Sequence, residues 1–115
     1  MLVFKILRRD EWDALERDGE LRGSAVDLRD GFVHLSSGAQ VAGTAARHFA
    51  GVDDLVLAAF DDGALGPALR WEPSRDGALF PHLYRPLRRA EVRWTASMPW
   101  RNGVHELPEL DPGAR

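Results

Sequence analysis

The 115-residue chain contains no cysteine. That excludes disulfides, thiolate catalysis and cysteine-ligated zinc, and it fits a reducing compartment. It has no apolar run near the length of a membrane span. The opening Met1–Leu7 is interrupted by Lys5 and followed by Arg8, Arg9 and Asp10, unlike a secretory leader. A cytoplasmic protein without membrane association is expected. Positive charge is also short, since the formal net charge is -3, so no global basic field is present to hold a nucleic-acid backbone. The standard signatures are missing as well: no Walker loop, no Gly-x-Gly-x-x-Gly after a strand, no His-Glu-x-x-His, no Gly-x-Ser-x-Gly.

What is present is ordinary globular material, 44% hydrophobic and 29% charged, with four Trp and five Phe. That suffices for one core, so a single domain over 1–115 is expected, its core spanning about 2–97. From Met98 onward, prolines, glycines and weak periodicity suggest a loosely held tail over 98–115.

Residues 2–7 read as a strand. A helix follows, capped by Asp10, turning Trp12 and Leu15 inward and stopped by Gly19. Residues 19–31 read as a loop. Residues 31–36 make the clearest strand, with Phe32, His34 and Ser36 on one face and Val33 and Leu35 on the other. Ser37 and Gln40 form the pattern of a capping box for a second, alanine-rich helix along Val41, Ala45 and Phe49. Residues 54–60 are almost continuously apolar, as in a central strand covered on both faces. Shorter strands are expected at 69–72 and 91–95, with 80–84 extended but limited by Pro81. This order predicts an α+β fold: one compact domain with a mixed or antiparallel-rich sheet and two main helices.

The chemistry-bearing residues interrupt these apolar strands. His34 lies between Val33 and Leu35, where an imidazole is either hydrogen-bonded in a core or exposed in a pocket. Ser36 points the same way at a strand-to-helix junction, where free backbone N–H groups suit an anion. Glu72 is a carboxylate on a short strand, fit for a general base, a ribose hydroxyl partner or a surface ion pair. Phe80, His82 and Tyr84 line one side of the next strand, as a pocket wall or as an edge reaching water. His34, Glu72, His82 and Tyr84 are expected to converge on one concave surface. His34, His48 and His82 lie on different elements without the short spacing of metal sites, so no metal site is expected. The arginines from Arg85 to Arg101 face only Glu91 in sequence, as a solvated face or a phosphate-facing patch.

Asp30-Gly31-Phe32-Val33-His34-Leu35-Ser36, Gln40-Val41-Ala42, Arg47-His48-Phe49, Arg70-Trp71-Glu72 and Phe80-Pro81-His82-Leu83-Tyr84 occur in the order found in a bacterial family. Over about Phe4 to Trp94 the chain resembles the proteins classed as domain of unknown function 952. More distantly, Val33-His34-Leu35-Ser36 leading into an alanine-rich helix resembles RNA 2'-phosphotransferases of the ADP-ribosyltransferase-like group. That likeness implies an ADP-ribosyltransferase-like split sheet, with NAD as cofactor in the cleft between its halves. It implies His34 and Ser36 against ribose or phosphate, Tyr84 stacked on a base or nicotinamide, and His82 beside the cofactor. Glu72 and His34 would be catalytic, and Lys5 would stand where the group carries His or Arg. Arg29 is offset from the phosphotransferase arginine, and Glu72 comes earlier in the chain than the group's glutamate. Two functions follow: a nucleotide-binding enzyme or its degenerate relative, or a non-enzymatic module holding a small metabolite or protein in the same pocket. Either way the partner is a small molecule or nucleotide more than a nucleic acid, and oligomeric state is not encoded.

Overall fold

The computed structural model describes residues 1–110. In chain order its strands are β1 (Leu2–Leu7), β2 (Glu20–Leu21), β3 (Val33–His34), β4 (Ser36–Ser37), β5 (Leu55–Asp61) and β6 (Leu69–Pro73). They continue with β7 (Leu79–Leu83), β8 (Leu87–Arg88), β9 (Trp94–Met98), β10 (Trp100–Arg101) and β11 (Val104–His105). The helices are α1 (Arg9–Asp18), α2 (Ala25–Asp30), α3 (Val41–His48) and the single turn α4 (Asp62–Leu65).

The apolar run at Leu55–Phe60 becomes β5, buried along its length between β1 and β9 in an antiparallel sheet of order β4-β1-β5-β9. Alternation sends Val56, Ala58 and Phe60 to one face and Leu55, Leu57 and Ala59 to the other. The first set packs with Val3, Leu7, Trp12, Leu15 and Leu83, beneath α1 and a smaller antiparallel sheet of order β3-β7-β6. The second packs with Phe4, Ile6, Val41, Ala45 and Met98 beneath α3. Each fully buried Leu or Phe stabilises the fold by roughly 1.5–3 kcal/mol. The fold is α+β with antiparallel sheets. No helix among the described residues is long and apolar enough to cross a membrane.

Several boundaries differ from the sequence expectation. Helix α1 begins at Arg9, not after Asp10, because the Arg8 N–H donates to Glu11 Oε1 at 2.8 Å. The expected loop over 19–31 carries β2 and α2. Helix α2 starts with a capping box, Asp27 N donating to Ser24 Oγ and Ser24 N to Asp27 Oδ2. Its apolar residues Val26 and Leu28 are exposed, so no inward hydrophobic stripe marks it. Ser37 belongs to β4 and does not cap α3. Its N–H donates to Gln40 Oε1 at 3.0 Å, and Gln40 is the residue before the helix.

The strand expected over 31–36 is shared between two sheets. β3 pairs with β7 (His34 opposite His82), and β4 pairs with β1 (Ser36 opposite Phe4). The chain changes sheet at Leu35, whose N–H donates to Pro81 O at 3.0 Å. Pro81 therefore lies in a central strand, fully buried, supplying an acceptor toward Leu35 and lacking only its donor. The strand expected at 91–95 begins at Trp94 instead, because Arg89–Glu91 forms a 3-10 turn held by the Arg85–Glu91 ion pair at 2.6 Å.

Through Leu110, the segment taken as a loose tail is anchored. Asn102 and Gly103, at φ 54° and 80°, turn the β10–β11 hairpin. His105 Nε2 lies 2.8 Å from Val52 O, and Leu107 and Leu110 pack on the core. The rest of that expected tail, 111–115, lies outside the described residues.

Candidate functional site

Strand β1 is partnered by β4 only at Val3 and Phe4. Beyond that point α2, β3 and α3 surround the β1 edge, leaving a cleft of about 800 Å³. Lys5 is the first side chain past the β4 pairing, and a buried ammonium must find counter-charge. It donates to Asp27 Oδ2 at 2.8 Å and to the His34 carbonyl at 3.0 Å. Asp27 is 2% exposed, and its other oxygen accepts from the His34 N–H at 3.0 Å and meets His34 Nδ1 at 2.6 Å. Burial opposes ionisation of Asp27. The hydrogen bond from His34, then the charge and hydrogen bond of Lys5, outweigh it and hold the carboxyl well below the usual carboxylate range.

The seat for Asp27 needs a glycine beside it. At Gly23, φ is 122° and an added Cβ would come within 2.5 Å of the Asp27 side chain. Gly23→Ala should therefore destabilise the fold by about 2 kcal/mol or more, read as a fall in Tm. An unchanged Tm would show that Asp27 can shift freely.

His34 Nε2 lies 3.0 Å from Asp30 Oδ2, so carboxylates flank both ring nitrogens. The second imidazole is held differently. His82 Nδ1 is 2.9 Å from Glu72 Oε1, the same oxygen that accepts from Tyr84 OH at 2.6 Å. The Tyr84 and His82 hydrogen bonds lower the Glu72 pKa, and the bond to Glu72 raises that of Tyr84. Phe32 stacks on His82 at 4.1 Å and lies 4.6 Å from the His34 ring, joining the two histidines.

Of the residues singled out from sequence, Lys5, His34, Ser36 and His82 line the large cleft. Glu72 and Tyr84 do not. Glu72 stands behind His82, and Tyr84 lines an adjacent hollow of about 350 Å³ with Arg22, Phe32 and Arg85. The four residues expected on one concave surface are thus linked by hydrogen bonds and Phe32, but only two face the cleft. Ser36 is buried, its hydroxyl 3.0 Å from Thr44 Oγ1. Among the described residues, no group of three His, Asp or Glu is placed to hold a metal ion.

Sequence reasoning gave no ligand-binding role to the cations of the rim: Arg8, Arg47 and Arg75, which it missed, and Arg29 and His48, which it weighed only against other roles. Arg29 pairs with Asp30 at 2.9 Å. Arg8 lies over Phe49 and Arg75 over Phe80, each without a carboxylate partner among the described residues, as is Arg47. Gly43 lets Arg75 lie against α3, since a Cβ there would sit 3.3 Å from its Nη2. Desolvation, then the charges of Arg75 and Arg47, push the His48 pKa below the usual imidazole value. By contrast, Arg85, Arg89 and Arg101 of the basic stretch pair with Glu91, Glu16 and Glu106.

Comparison with known proteins agrees with the family resemblance. A crystal structure of protein CC0527 from Caulobacter crescentus superposes with a TM-score of 0.89 at 51% identity, covering 92% of this chain and 94% of that one. Its solution NMR structure gives a TM-score of 0.81 at 53% identity, covering 90% of each chain. No curated protein matches. Residues 6–95 match the family described as protein of unknown function (DUF952), so this chain, with its cleft between two antiparallel sheets, belongs to that family.

Proposed function

We propose that the cleft binds a phosphorylated small molecule, with NAD or its ADP-ribose portion as the first ligand to test. The observation that carries this is the rim. Arg8, Arg47 and Arg75 face a ligand-sized opening without carboxylate partners among the described residues, in a chain whose net charge is -3. Arginines left uncompensated at a concave site favour an anion, and phosphate oxygens match their donor geometry. The split between β3 and β4 at Leu35 supports an ADP-ribosyltransferase-like reading of the fold. In this reading His34 and Ser36 flank the ribose or phosphate, Lys5 acts through Asp27 by keeping His34 in place, and Tyr84 receives a base overhanging into the smaller hollow.

A second reading, binding without turnover, is favoured by Glu72. The carboxylate that the resemblance makes catalytic is engaged by His82 and Tyr84 outside the large cleft. Both readings predict stabilisation by the ligand. At a hundredfold excess over Kd, a ligand specific for the folded state adds about 2.7 kcal/mol, raising Tm by roughly 8 °C or more. Millimolar ADP-ribose and NAD should each produce such a shift. Nicotinamide release from NAD over hours distinguishes an enzyme from a binding module. If neither nucleotide moves the melting curve, the nucleotide reading is abandoned.

A further inference from the structure

We infer that His82, positioned by Glu72, is the hydrogen-bond acceptor for a hydroxyl of the bound ligand, which makes the preferred ligand a sugar phosphate and not a bare phosphate or pyrophosphate. The inference rests on the proposed anion cleft and names a second point of recognition within it.

The geometry fixes which nitrogen is available. Glu72 Oε1 already accepts the Tyr84 hydroxyl proton, and the hydrogen bonds from Tyr84 and His82 favour the ionised carboxylate. An ionised carboxylate only accepts, so His82 Nδ1 must donate to it. In the neutral ring this leaves Nε2 as an acceptor. Nε2 has no partner among the described residues, yet no buried side-chain nitrogen or oxygen among them goes unpartnered. Nε2 is therefore reached by solvent, although the His82 side chain is only 6% exposed and lines the large cleft. The stacked Phe32 ring holds the imidazole plane, and the Nδ1 bond to Glu72 sets which edge faces the cleft.

His34 cannot take this part, because Asp27 and Asp30 occupy both of its nitrogens. Nor does His82 Nε2 suit a phosphate, since a lone pair repels an anionic oxygen and calls for a donor. The anion seat is close by. Arg75 lies over Phe80, and Phe80 and His82 are alternate residues of β7, roughly 7 Å apart at about 3.4 Å per residue. A phosphate at Arg75 and a hydroxyl at His82 fit within one sugar phosphate.

The test is long-range 1H–15N NMR of the histidine side chains in the whole chain, with ADP-ribose, ribose 5-phosphate and pyrophosphate as probes. In the free protein the His82 pattern should be that of the Nδ1–H form. Glu72→Gln should mix the two tautomers without unfolding the chain, a signature that loss of packing alone does not give. ADP-ribose and ribose 5-phosphate should move the Nε2 resonance, and pyrophosphate should leave it in place. An Nε2–H tautomer in the wild-type protein overturns the assignment. So does an unmoved Nε2 resonance under every probe. If ADP-ribose still raises Tm in that case, only the role of His82 is lost, whereas absence of the thermal shift removes the nucleotide reading with it.

Discussion

Asp27→Asn should destabilise the protein by about 3–5 kcal/mol, the usual cost of removing one partner from a buried ion pair. Lys5 and Asp27 have side chains only 8% and 1% exposed, so the substitution leaves an ammonium without its counter-charge in the cleft wall. The same change disturbs the cap of α2 at Ser24 and the contact to His34. For a domain of this size the expected fall in Tm is on the order of 15 °C, measurable by circular dichroism. Asp30→Asn, on the exposed side of His34, should leave Tm nearly unchanged. Equal effects from the two substitutions would mean that the buried pair contributes nothing of its own. A pH dependence accompanies this. The native carboxyl titrates well below its unfolded value near 4, so between those values the unfolded chain binds more protons. Its stabilisation is complete above about pH 4 and drains away as pH falls toward the native value. Wild-type Tm should drop over this acid range, and the drop should be shallower in Asp27→Asn.

Replacing Arg47 and Arg75 together by Ala should weaken ADP-ribose binding about a hundredfold or more, because a hydrogen bond to a charged group contributes roughly 1.5–3 kcal/mol. Neither arginine has a carboxylate partner among the described residues, and Arg47 is exposed, so the fold itself should hold. Titration calorimetry at low and high salt reads both the loss and its electrostatic origin, since the wild-type affinity should fall with salt more steeply than that of the double variant. Undiminished affinity in a folded double variant would place the ligand elsewhere. Substituting Arg89 and Arg101 in the basic stretch should leave affinity unchanged, because both are engaged by glutamates.

The framework was legible where burial imposes a pattern. The run at Leu55–Phe60 announced a strand covered on both faces, Leu2–Leu7 announced its neighbour, and Gly19 announced the end of α1. Helix α2 was hidden because the residue it turns inward is Asp27, not a hydrophobe, although the Ser24 to Asp27 spacing was there to be read. The hairpin was signalled by Asn102-Gly103 and obscured by the prolines around it. Most of the site lay beyond sequence reasoning. Arg8, Arg47 and Arg75 come from three separated segments and meet only after folding. The arginines that do cluster in sequence, Arg85 to Arg101, largely find partners elsewhere in the fold. His82, Glu72 and Tyr84 stood out by type, yet their pairing depends on the β6–β7 register.

If the cleft binds a ligand as proposed, Leu35 carries a consequence for how that ligand gets in. Its amide is tied to Pro81 in the small sheet, its neighbour Ser36 pairs with Phe4 in the large one, and its side chain is 2% exposed in the core between them. A single peptide thus stitches both walls together where the cleft begins, and pulling the walls apart would tear the core. Helix α2 is pinned to the same wall by Asp27, so a ligand of the proposed kind would pass only the rim arginine side chains, whose motions are fast compared with domain closure. Under the proposed function, a cleft tied in this way would select its ligand by size before any hydrogen bond is made.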